Sequence, residues 1–296
     1  MTKDQFTIVG LGEVLWDDLP TGKRLGGAPA NFAYVSTRFG NHGIVASRVG
    51  MDDDGREILE KFRAVGVDAS HIQIDENYPT GIVSVALDGG QPSYKIVETV
   101  AWDFLEMSDD WRKLAEETDA VCFGSLAQRN EKSRETILEF LTYTKLESLK
   151  IFDVNLRQNF YNFGVLRDSF AAANVVKLNH EELPVICGLF EIAGADETEN
   201  ARNLHRHFDM KFLCLTRGAN GSLLISGDET DEHFGIKIEI ADTIGAGDAF
   251  TAAMTHGILR EWNLREINDF ANKIGAFVAS QTGAMPPFEN ADFLSA

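Results

Sequence analysis

The feature that most restricts the fold of this chain is a regular alternation of short apolar runs and amphipathic helical stretches in its second half. Apolar runs at 121–123, 151–153 and 175–178 each precede a helical pattern, and a helical pattern at 198–207 leads into another apolar run at 212–216. Such alternation predicts right-handed crossovers, and therefore a mainly parallel central sheet with helices on both faces. Ligands of such sheets lie beyond the carboxyl ends of the strands.

A different pattern lies between residues 80 and 97, where apolar residues alternate with polar ones on both sides of Gly89-Gly90. This pattern predicts a β-hairpin. Because a two-stranded ribbon has a single apolar face to bury, we expect it to form a small β lid together with the segment before the first helix, over about 13–26 and 80–100. No linker or internal repeat divides residues 1–296, which predicts one domain carrying this lid.

Composition excludes several partners. The chain has 46 acidic and 27 basic residues and a formal net charge of −19, which would repel nucleic acid and anionic membrane surfaces. Its three cysteines lie in separate apolar stretches, as expected of reduced core residues. The first residues are not followed by a signal-peptide core, and no apolar run reaches membrane-spanning length, so we expect a cytoplasmic protein.

A glycine-rich segment, Asp242-Thr-Ile-Gly-Ala-Gly-Asp248, is followed at once by the apolar helical stretch 249–254. Small residues allow consecutive backbone N–H groups to face one cavity, and a helix that begins there adds the positive end of its dipole. Gly245, Ala246 and Gly247 therefore predict an anion-binding cradle, and Asp248 adds a carboxylate that can accept a proton. This combination suits phosphoryl transfer, although a lone Gly-x-Gly is also typical of an ordinary turn.

The same string strongly resembles the carboxy-terminal signature of the ribokinase-like, or PfkB, sugar kinases. A second block, Gly26-Gly-Ala-Pro-Ala-Asn-Phe-Ala33, resembles the amino-terminal signature of that family, so the resemblance spans nearly the whole chain. It implies an α/β three-layer ribokinase-like fold with a β lid, and an ATP-dependent kinase that uses Mg²⁺. Asp248 would take the proton of a sugar hydroxyl, and Arg157 would stabilise the transferred phosphoryl group. In several relatives such lids pair between subunits, which implies a homodimer.

The resemblance also assigns a sugar end to the site. Asp17 corresponds to the carboxylate that grips sugar hydroxyls, and a carboxylate can accept two such donors at once. Gly27, Ala28 and Asn31 lie where the family brings backbone and an amide beside the sugar. The alternatives are a surface acid at Asp17 and a merely polar first helical turn at Asn31.

Polar residues at the ends of two successive strands are candidates for a magnesium site. Asp153 and Asn155 end one strand, and Asn179 with Glu182 resembles the family's Asn-x-x-Glu element, which orders Mg²⁺-bound water. Carboxylate and amide oxygens suit Mg²⁺, which keeps several waters. An Asn followed by acids is also a common helix N-cap, so the pattern alone leaves both interpretations open.

The residues expected to bind the nucleotide are assigned from the resemblance alone. The turn containing Thr216, Arg217, Gly218 and Gly221 matches the family's phosphate loop, and Asn272 lies where the family has an adenine-pocket residue. Asp242 and the loop at 279–284 resemble a site that holds a monovalent cation such as K⁺ in many relatives.

Within the family the blocks around Asp17, Gly27 and Arg157 look most like fructokinases. Ribokinases usually carry Lys and Asn where Ala28 and Leu15 stand here. A 2-keto-3-deoxygluconate kinase is the nearer alternative, although no obvious extra basic pair is present to hold a carboxylate, and a nucleoside kinase is a more distant one. From other classes, a catalytically silent sugar-binding regulator and a Rossmann oxidoreductase remain, and the absence of a Gly-x-Gly-x-x-Gly after the first strand weighs against the latter.

Overall fold

A computed structural model describes residues 3, 5–19, 22–88, 91–290 and 293. The strands, in chain order, are β1 (Thr7–Leu11), β2 (Leu15–Leu19), β3 (Gly22–Gly26), β4 (His42–Gly50), β5 (Ile72–Asp75), β6 (Gly81–Asp88), β7 (Gln91–Ile96), β8 (Ala120–Gly124), β9 (Leu149–Asp153), β10 (Val175–Asn179), β11 (Phe212–Thr216), β12 (Ser222–Ser226) and β13 (Glu229–His233). The α-helices are α1 (Ala28–Arg38), α2 (Asp53–Val65), α3 (Asp109–Glu117), α4 (Glu131–Tyr143), α5 (Phe163–Ala172), α6 (Glu182–Leu189), α7 (Glu197–His207), α8 (Ala246–Leu259) and α9 (Leu264–Ala279).

The central sheet has nine strands in the order β13-β12-β11-β10-β9-β8-β1-β4-β5. Neighbouring strands from β5 to β11 pair in parallel, and β12 and β13 add an antiparallel edge. The mainly parallel sheet that the strand and helix alternation predicts is therefore confirmed. The antiparallel strand β13, whose sequence is Glu-Thr-Asp-Glu-His, carries no apolar pattern from which it could be predicted.

Two apolar cores lie on opposite faces of this sheet, because successive side chains of each strand point to opposite faces. On β1, Val9 joins the core that contains Phe140 of α4 and Phe170 of α5. Its neighbour Ile8 joins the other core, with Phe32 of α1 and the buried face of α8. The result is the three-layer arrangement expected, with α3 to α7 on one face and α1, α2, α8 and α9 on the other.

A second sheet, in the order β3-β2-β6-β7, forms the lid. β2 pairs antiparallel with β3 and parallel with β6, and β6 pairs antiparallel with β7 as the hairpin pattern predicts. The predicted turn at Gly89-Gly90 lies outside the described residues. Because the chain enters β2 directly after β1 and returns from β3 directly into α1, this sheet stands next to the carboxyl end of the central sheet. Within the described chain, none of the helices has the length and apolar character that crossing a membrane requires.

Candidate active site

The glycine-rich segment forms the start of α8 at the carboxyl end of the central sheet. Gly245 has a φ of 80°, and a Cβ atom there would lie 2.4 Å from the Cβ of Ala284, so only glycine fits without a shift of the chain. α8 begins at Ala246, and the N–H groups of a first helical turn have no partners within the helix. The Ala246 N–H makes a long bond of 3.3 Å to the Thr243 carbonyl. The helix start thus offers an anion-binding cradle.

Asp248 lies in the first turn of α8, and its carboxylate accepts a hydrogen bond of 2.7 Å from the Nδ2 of Asn31. The two residues are 217 positions apart in sequence, so the fold joins the two signature blocks directly. Burial by surrounding protein, helped by the charge of Asp153, raises the pKa of Asp248 to about 6, against the effects of Asn31, Lys177 and Arg157. At neutral pH the group is ionised and more basic than an ordinary aspartate, as a general base requires.

A lysine that the sequence interpretation missed lies beneath this cradle. Lys177 of β10 is 7% exposed, and its Nζ lies 3.1 and 3.3 Å from the two carboxylate oxygens of Asp153. Thr251 of α8 donates to Asp153 at 3.1 Å and to the Gly247 carbonyl at 2.9 Å, which ties the helix start to the strands. A Cβ on Gly247 would come within 3.2 Å of the Lys177 Nζ, so the ammonium group touches the cradle itself.

The charge of Lys177 is held by the acids around it. Burial would lower the pKa of Lys177, but Asp153, Glu182 and Asp248 outweigh that effect and raise it, so the ammonium group stays charged. A fixed positive charge below an anion-binding helix start stabilises negative charge that develops there. The sequence did carry a signal, since a lysine interrupts the apolar run of a buried parallel strand, where such residues are rarely found unpaired.

Asn179 and Glu182 lie at the predicted position, at the end of β10 and the start of α6. The two carboxylate oxygens of Glu182 accept 2.8 Å bonds from the backbone N–H groups of Leu156 and Asn179, and the Asn179 side chain accepts from the N–H groups of Glu181 and Glu182 at 2.9 Å. The capping interpretation of this pattern is therefore confirmed, because the Asn179 side chain caps the turn before α6, and the magnesium interpretation stays a prediction.

The donor atoms near Glu182 fit a magnesium ion that is held through water. Burial raises the pKa of Glu182, against the charge of Lys177, and its oxygens already hold one backbone N–H each. An ionised carboxylate can accept about four hydrogen bonds, so positions remain for metal-bound water. In the portion of the chain that the structure describes, no group of three His, Cys, Asp or Glu side chains is placed to ligate a metal directly.

Asp17 of β2 forms the lid side of the site. Burial raises the pKa of its carboxyl, and the charges of Arg157 and Arg24 oppose that rise. A Cβ on Gly26 would lie 2.6 Å from a carboxylate oxygen of Asp17, so the glycine of β3 leaves room for the acid. Gly27, with a φ of 110°, precedes Ala28 at the start of α1, and a Cβ on Gly27 would lie 2.5 Å from the Glu13 carbonyl oxygen.

Arg157 is exposed at the end of the loop that follows β9, where its guanidinium donates to the Leu156 carbonyl at 3.2 Å. Its positive charge opposes the burial-driven rise in the pKa of Glu13, of Asp17 and of Asp248. The charge of Arg157 thus acts on acids of the lid, of the β1–β2 connection and of α8. This position agrees with a role in stabilising a transferred phosphoryl group, which stays a prediction.

The predicted nucleotide residues lie beyond the cradle, around the ends of β11 and β12. The turn at 216–221 is tight, with φ of 55° at Gly218 and 85° at Gly221, and Thr216 donates to the Leu178 carbonyl at 3.4 Å. The Arg217 guanidinium is held between Glu197 and Glu232, at 2.6 Å from each. Asn272 is buried and donates to Ser222 at 2.8 Å. Both side chains therefore have protein partners, and their contact with a nucleotide stays a prediction.

Asp242 connects the cradle loop to the lid. Its carboxylate accepts a 2.8 Å ion-pair contact from Arg24 of β3, and bonds of 3.0 and 3.3 Å from the backbone N–H groups of Ile244 and Gly283. The guanidinium already neutralises this carboxylate, so a monovalent cation would have to bind beside Arg24 or displace it. The cation site at Asp242 stays a prediction.

This fold and site are those of a phosphotransferase, and comparisons with known proteins agree. Residues 18–291 match the pfkB family carbohydrate kinase profile. The chain is 32% identical to a sugar kinase of Pyrococcus horikoshii over 88% of this chain and 83% of that one, and the solved ATP complex of that uncharacterized kinase has a TM-score of 0.82 at 31% identity, covering 98% and 97% of the two chains.

The chain is also similar to the fructokinase of Escherichia coli, with 31% identity over 93% of this chain and 94% of that one. The structure of a fructokinase from Vibrio cholerae, solved with fructose, ADP and calcium, has a TM-score of 0.81 at 24% identity over 98% of each chain, a similarity of fold. The protein belongs to the PfkB family of carbohydrate kinases. It is a sugar kinase, an enzyme that transfers a phosphoryl group from ATP to a sugar.

Proposed function

We propose that this enzyme is a fructokinase-like kinase that phosphorylates a primary hydroxyl of fructose. The observation that carries the proposal is the contact between Asp248 and Asn31, which joins the base at the anion-binding helix start to the predicted sugar-binding turn of α1. Asp17 lies opposite Arg24 in the lid sheet, and Arg24 joins the lid to the cradle loop through its 2.8 Å ion pair with Asp242. A substrate that fits must present several hydroxyl groups to acids and one hydroxyl to Asp248.

In the proposed reaction the sugar hydroxyl gives its proton to a carboxylate oxygen of Asp248. The hydroxyl oxygen forms a bond to the γ-phosphorus of ATP as the bond between that phosphorus and the β,γ-bridging oxygen breaks, and ADP leaves with that electron pair. The N–H groups at the start of α8 and the Lys177 ammonium stabilise the negative charge on the transferred group. Arg157 approaches the same group from the exposed side. When bound, Mg²⁺ near Asn179 and Glu182 would neutralise charge on the ATP phosphates.

The choice of fructose rests on the sugar end of the chain. The small side chain of Ala28 stands at the start of α1, and relatives named as fructokinases match nearly the full chain. A 2-keto-3-deoxygluconate kinase is the alternative, because the charges of Arg157 and Arg24 act on Asp17, and a basic group there could hold a substrate carboxylate. The Arg24 guanidinium is already paired with Asp242, which favours the uncharged sugar.

We also propose a homodimer formed through the lid. The lid sheet has two outer strands, β3 and β7, and strand edges with unpaired backbone groups are a frequent site of pairing between chains. Light scattering at micromolar concentration should give twice the mass of one chain. If a fully active sample has the mass of a single chain, the lid covers the sugar but does not form a dimer interface.

An ATP-consumption assay tests the substrate. The purified enzyme is supplied with ATP, Mg²⁺ and one of fructose, tagatose, ribose, 2-keto-3-deoxygluconate or adenosine, and kcat/KM is compared between acceptors. We expect the highest value for fructose. A higher value for 2-keto-3-deoxygluconate would replace the proposal by its alternative, and no turnover on any acceptor would favour a catalytically silent regulator.

A further inference from the structure

A second buried acid, Glu13, lies at the sugar end of the site and has no role in the proposed reaction. It follows β1 and is 3% exposed, and one of its carboxylate oxygens, Oε2, is buried without a hydrogen-bond partner. A Cβ on Gly27, the residue before α1, would lie 2.5 Å from the Glu13 carbonyl oxygen, so Glu13 packs against the start of α1. Buried polar atoms are rarely left unpaired, so such an atom beside an active site requires an explanation.

A second unpaired acceptor lies one helical turn further along α1. The Oδ1 of Asn31 is also buried without a partner, while the Nδ2 of the same amide donates to Asp248. Asn31 lies in the first turn of α1, four residues after Gly27, and Glu13 packs against the turn at Gly27. One unpaired acceptor therefore lies on the amide that binds Asp248, and the other on the connection that packs against the start of the same helix.

Contacts at the start of α1 place Glu13 near the base. Glu13 packs against the turn at Gly27, and Asn31, in the first turn after it, binds Asp248. Burial has the largest effect on the pKa of Glu13 and raises it to about 7, the charge of Asp248 adds to this rise, and the charge of Arg157 opposes it. The charge of Arg157 also opposes the rise in the pKa of Asp17 and of Asp248.

We propose that Glu13 is a substrate-binding residue, whose unpaired oxygen accepts a hydrogen bond from a sugar hydroxyl next to the one that reacts. The inference rests on the proposed function, and it names a contact that the sequence resemblance does not assign. A polyol supplies O–H donors to both unpaired acceptors, whereas a carboxylate-bearing ligand at this position would meet two acids. Glu13 thereby selects for a neutral, hydroxyl-rich group beside the phosphoryl acceptor.

A purely structural role for Glu13 is the alternative explanation. The carboxyl could serve only to cap α1 through the Ala28 N–H, with an ordered water on its free oxygen. The two explanations differ in what a variant loses. A cap residue contributes to folding stability without altering sugar affinity in the folded protein, whereas a sugar contact alters affinity.

Calorimetric titration with fructose and, separately, with ATP tests the proposal on the full-length enzyme. Glu13→Gln keeps the shape but replaces a charged acceptor by a neutral one, and we expect the Kd for fructose to rise about 5- to 10-fold, with the Kd for ATP unchanged. Glu13→Asp shortens the side chain and moves the carboxyl away from the sugar, so it should raise the Kd for fructose at least as much. Glu57→Gln, an exposed acid on α2, is the control and should match the wild type.

The outcomes separate this inference from the proposed function. If the wild-type enzyme phosphorylates fructose and Glu13→Gln, with a normal melting temperature, binds fructose as the wild type does, Glu13 is not a sugar contact. A lower melting temperature with unchanged sugar affinity would assign it to the cap and overturn the proposal as well. If the wild-type enzyme binds no sugar of the panel, the proposed function itself fails, and the inference with it.

Discussion

Two carboxyl groups in this enzyme, a buried one at the base of the lid and a half-buried one at the start of α8, have opposite surroundings. Asp103, 2% exposed, accepts from the Nε and Nη2 of Arg129 at 2.7 and 2.8 Å and from the Val100 N–H at 3.1 Å. The Arg129 guanidinium also lies 3.9 Å from the centre of the Trp102 ring. Asp248 has one side-chain donor, Asn31, and no directly paired cation among its described contacts.

The difference separates an acid that holds the fold from an acid that is available for chemistry. A carboxylate with a bidentate guanidinium partner is fixed in position and charge. A half-buried carboxylate with a single neutral donor keeps a raised pKa and a free lone pair, which are the properties that proton acceptance requires. The proposed roles of Asp248 and Glu13 both depend on such incomplete pairing.

Replacement of Asp248, the acid with a single neutral donor, should have the largest effect on activity. Asp248→Asn is expected to lower kcat by on the order of 10²–10⁴-fold, because the amide cannot accept the hydroxyl proton, while nucleotide binding stays nearly intact. Steady-state kinetics and ATP titration measure the two effects. Glu116→Gln, an exposed acid on α3, is the control. Turnover close to that of the wild type would remove Asp248 from the role of base.

Removal of Arg129, the partner of Asp103, should instead lower the stability of the fold. Arg129→Met leaves Asp103 charged and buried, and we expect the free energy of unfolding to fall by about 3–5 kcal/mol. Urea unfolding measures the loss. The double variant Arg129→Met with Asp103→Leu should regain much of it, because no buried charge remains.

An exposed ion pair provides the matched control for this change. Arg56→Met removes the partner of Asp53 on the surface of α2, where the loss should stay below about 1 kcal/mol. If Arg129→Met and Arg56→Met lose equal free energy of unfolding, the buried ion pair contributes no more to stability than the exposed one. Normal stability of Arg129→Met would contradict the structural role given to Asp103.

Apart from the surface control, the smallest of these effects concerns the lid. Asp17→Ala should weaken sugar binding by about 1–3 kcal/mol through lost charge-assisted hydrogen bonds, and leave ATP affinity unchanged. Calorimetric titration separates the two. Asp18→Ala is the matched control, since successive side chains of β2 point to opposite faces and Asp18 is exposed. Loss of ATP affinity in Asp17→Ala, with sugar affinity unchanged, would mean that the sugar and nucleotide ends are exchanged.

Much of the framework could be predicted because it depends on local patterns. The alternation of apolar strands and helices predicts the parallel sheet, and the pattern around 80–97 predicts the hairpin of β6 and β7. Asp52 caps α2 by accepting from the Gly55 N–H at 2.8 Å, as an acid directly before a helix is expected to do. Helix α6 begins only at Glu182, because the Asn179 side chain first closes a turn with the N–H groups of Glu181 and Glu182.

The site was harder to predict because its contacts join distant parts of the chain. Lys177 stands in an otherwise apolar strand, and only the fold shows that Asp153 on the neighbouring strand pairs with it. The contact of Asn31 with Asp248 depends on the packing of α1 against α8. Likewise, nothing in the sequence near Glu13 reveals that the first turn of α1 would leave its oxygen without a donor.

The way in which the lid joins the body has a consequence for how substrate preference can change. β2 leaves the body at Val14, and β6 begins at Gly81, where a Cβ would lie 2.2 Å from the Trp102 Nε1 and 3.1 Å from the Val14 carbonyl oxygen. Two of the four connections between the lid and the body therefore meet at one tightly packed point, whereas the connection from β3 into α1 leads to Asn31 and so to Asp248. A lid taken from another kinase would have to keep the packing of Val14, Gly81 and Trp102 and leave the connection into α1 unchanged, which confines the engineering of new acceptors to the lid strands themselves.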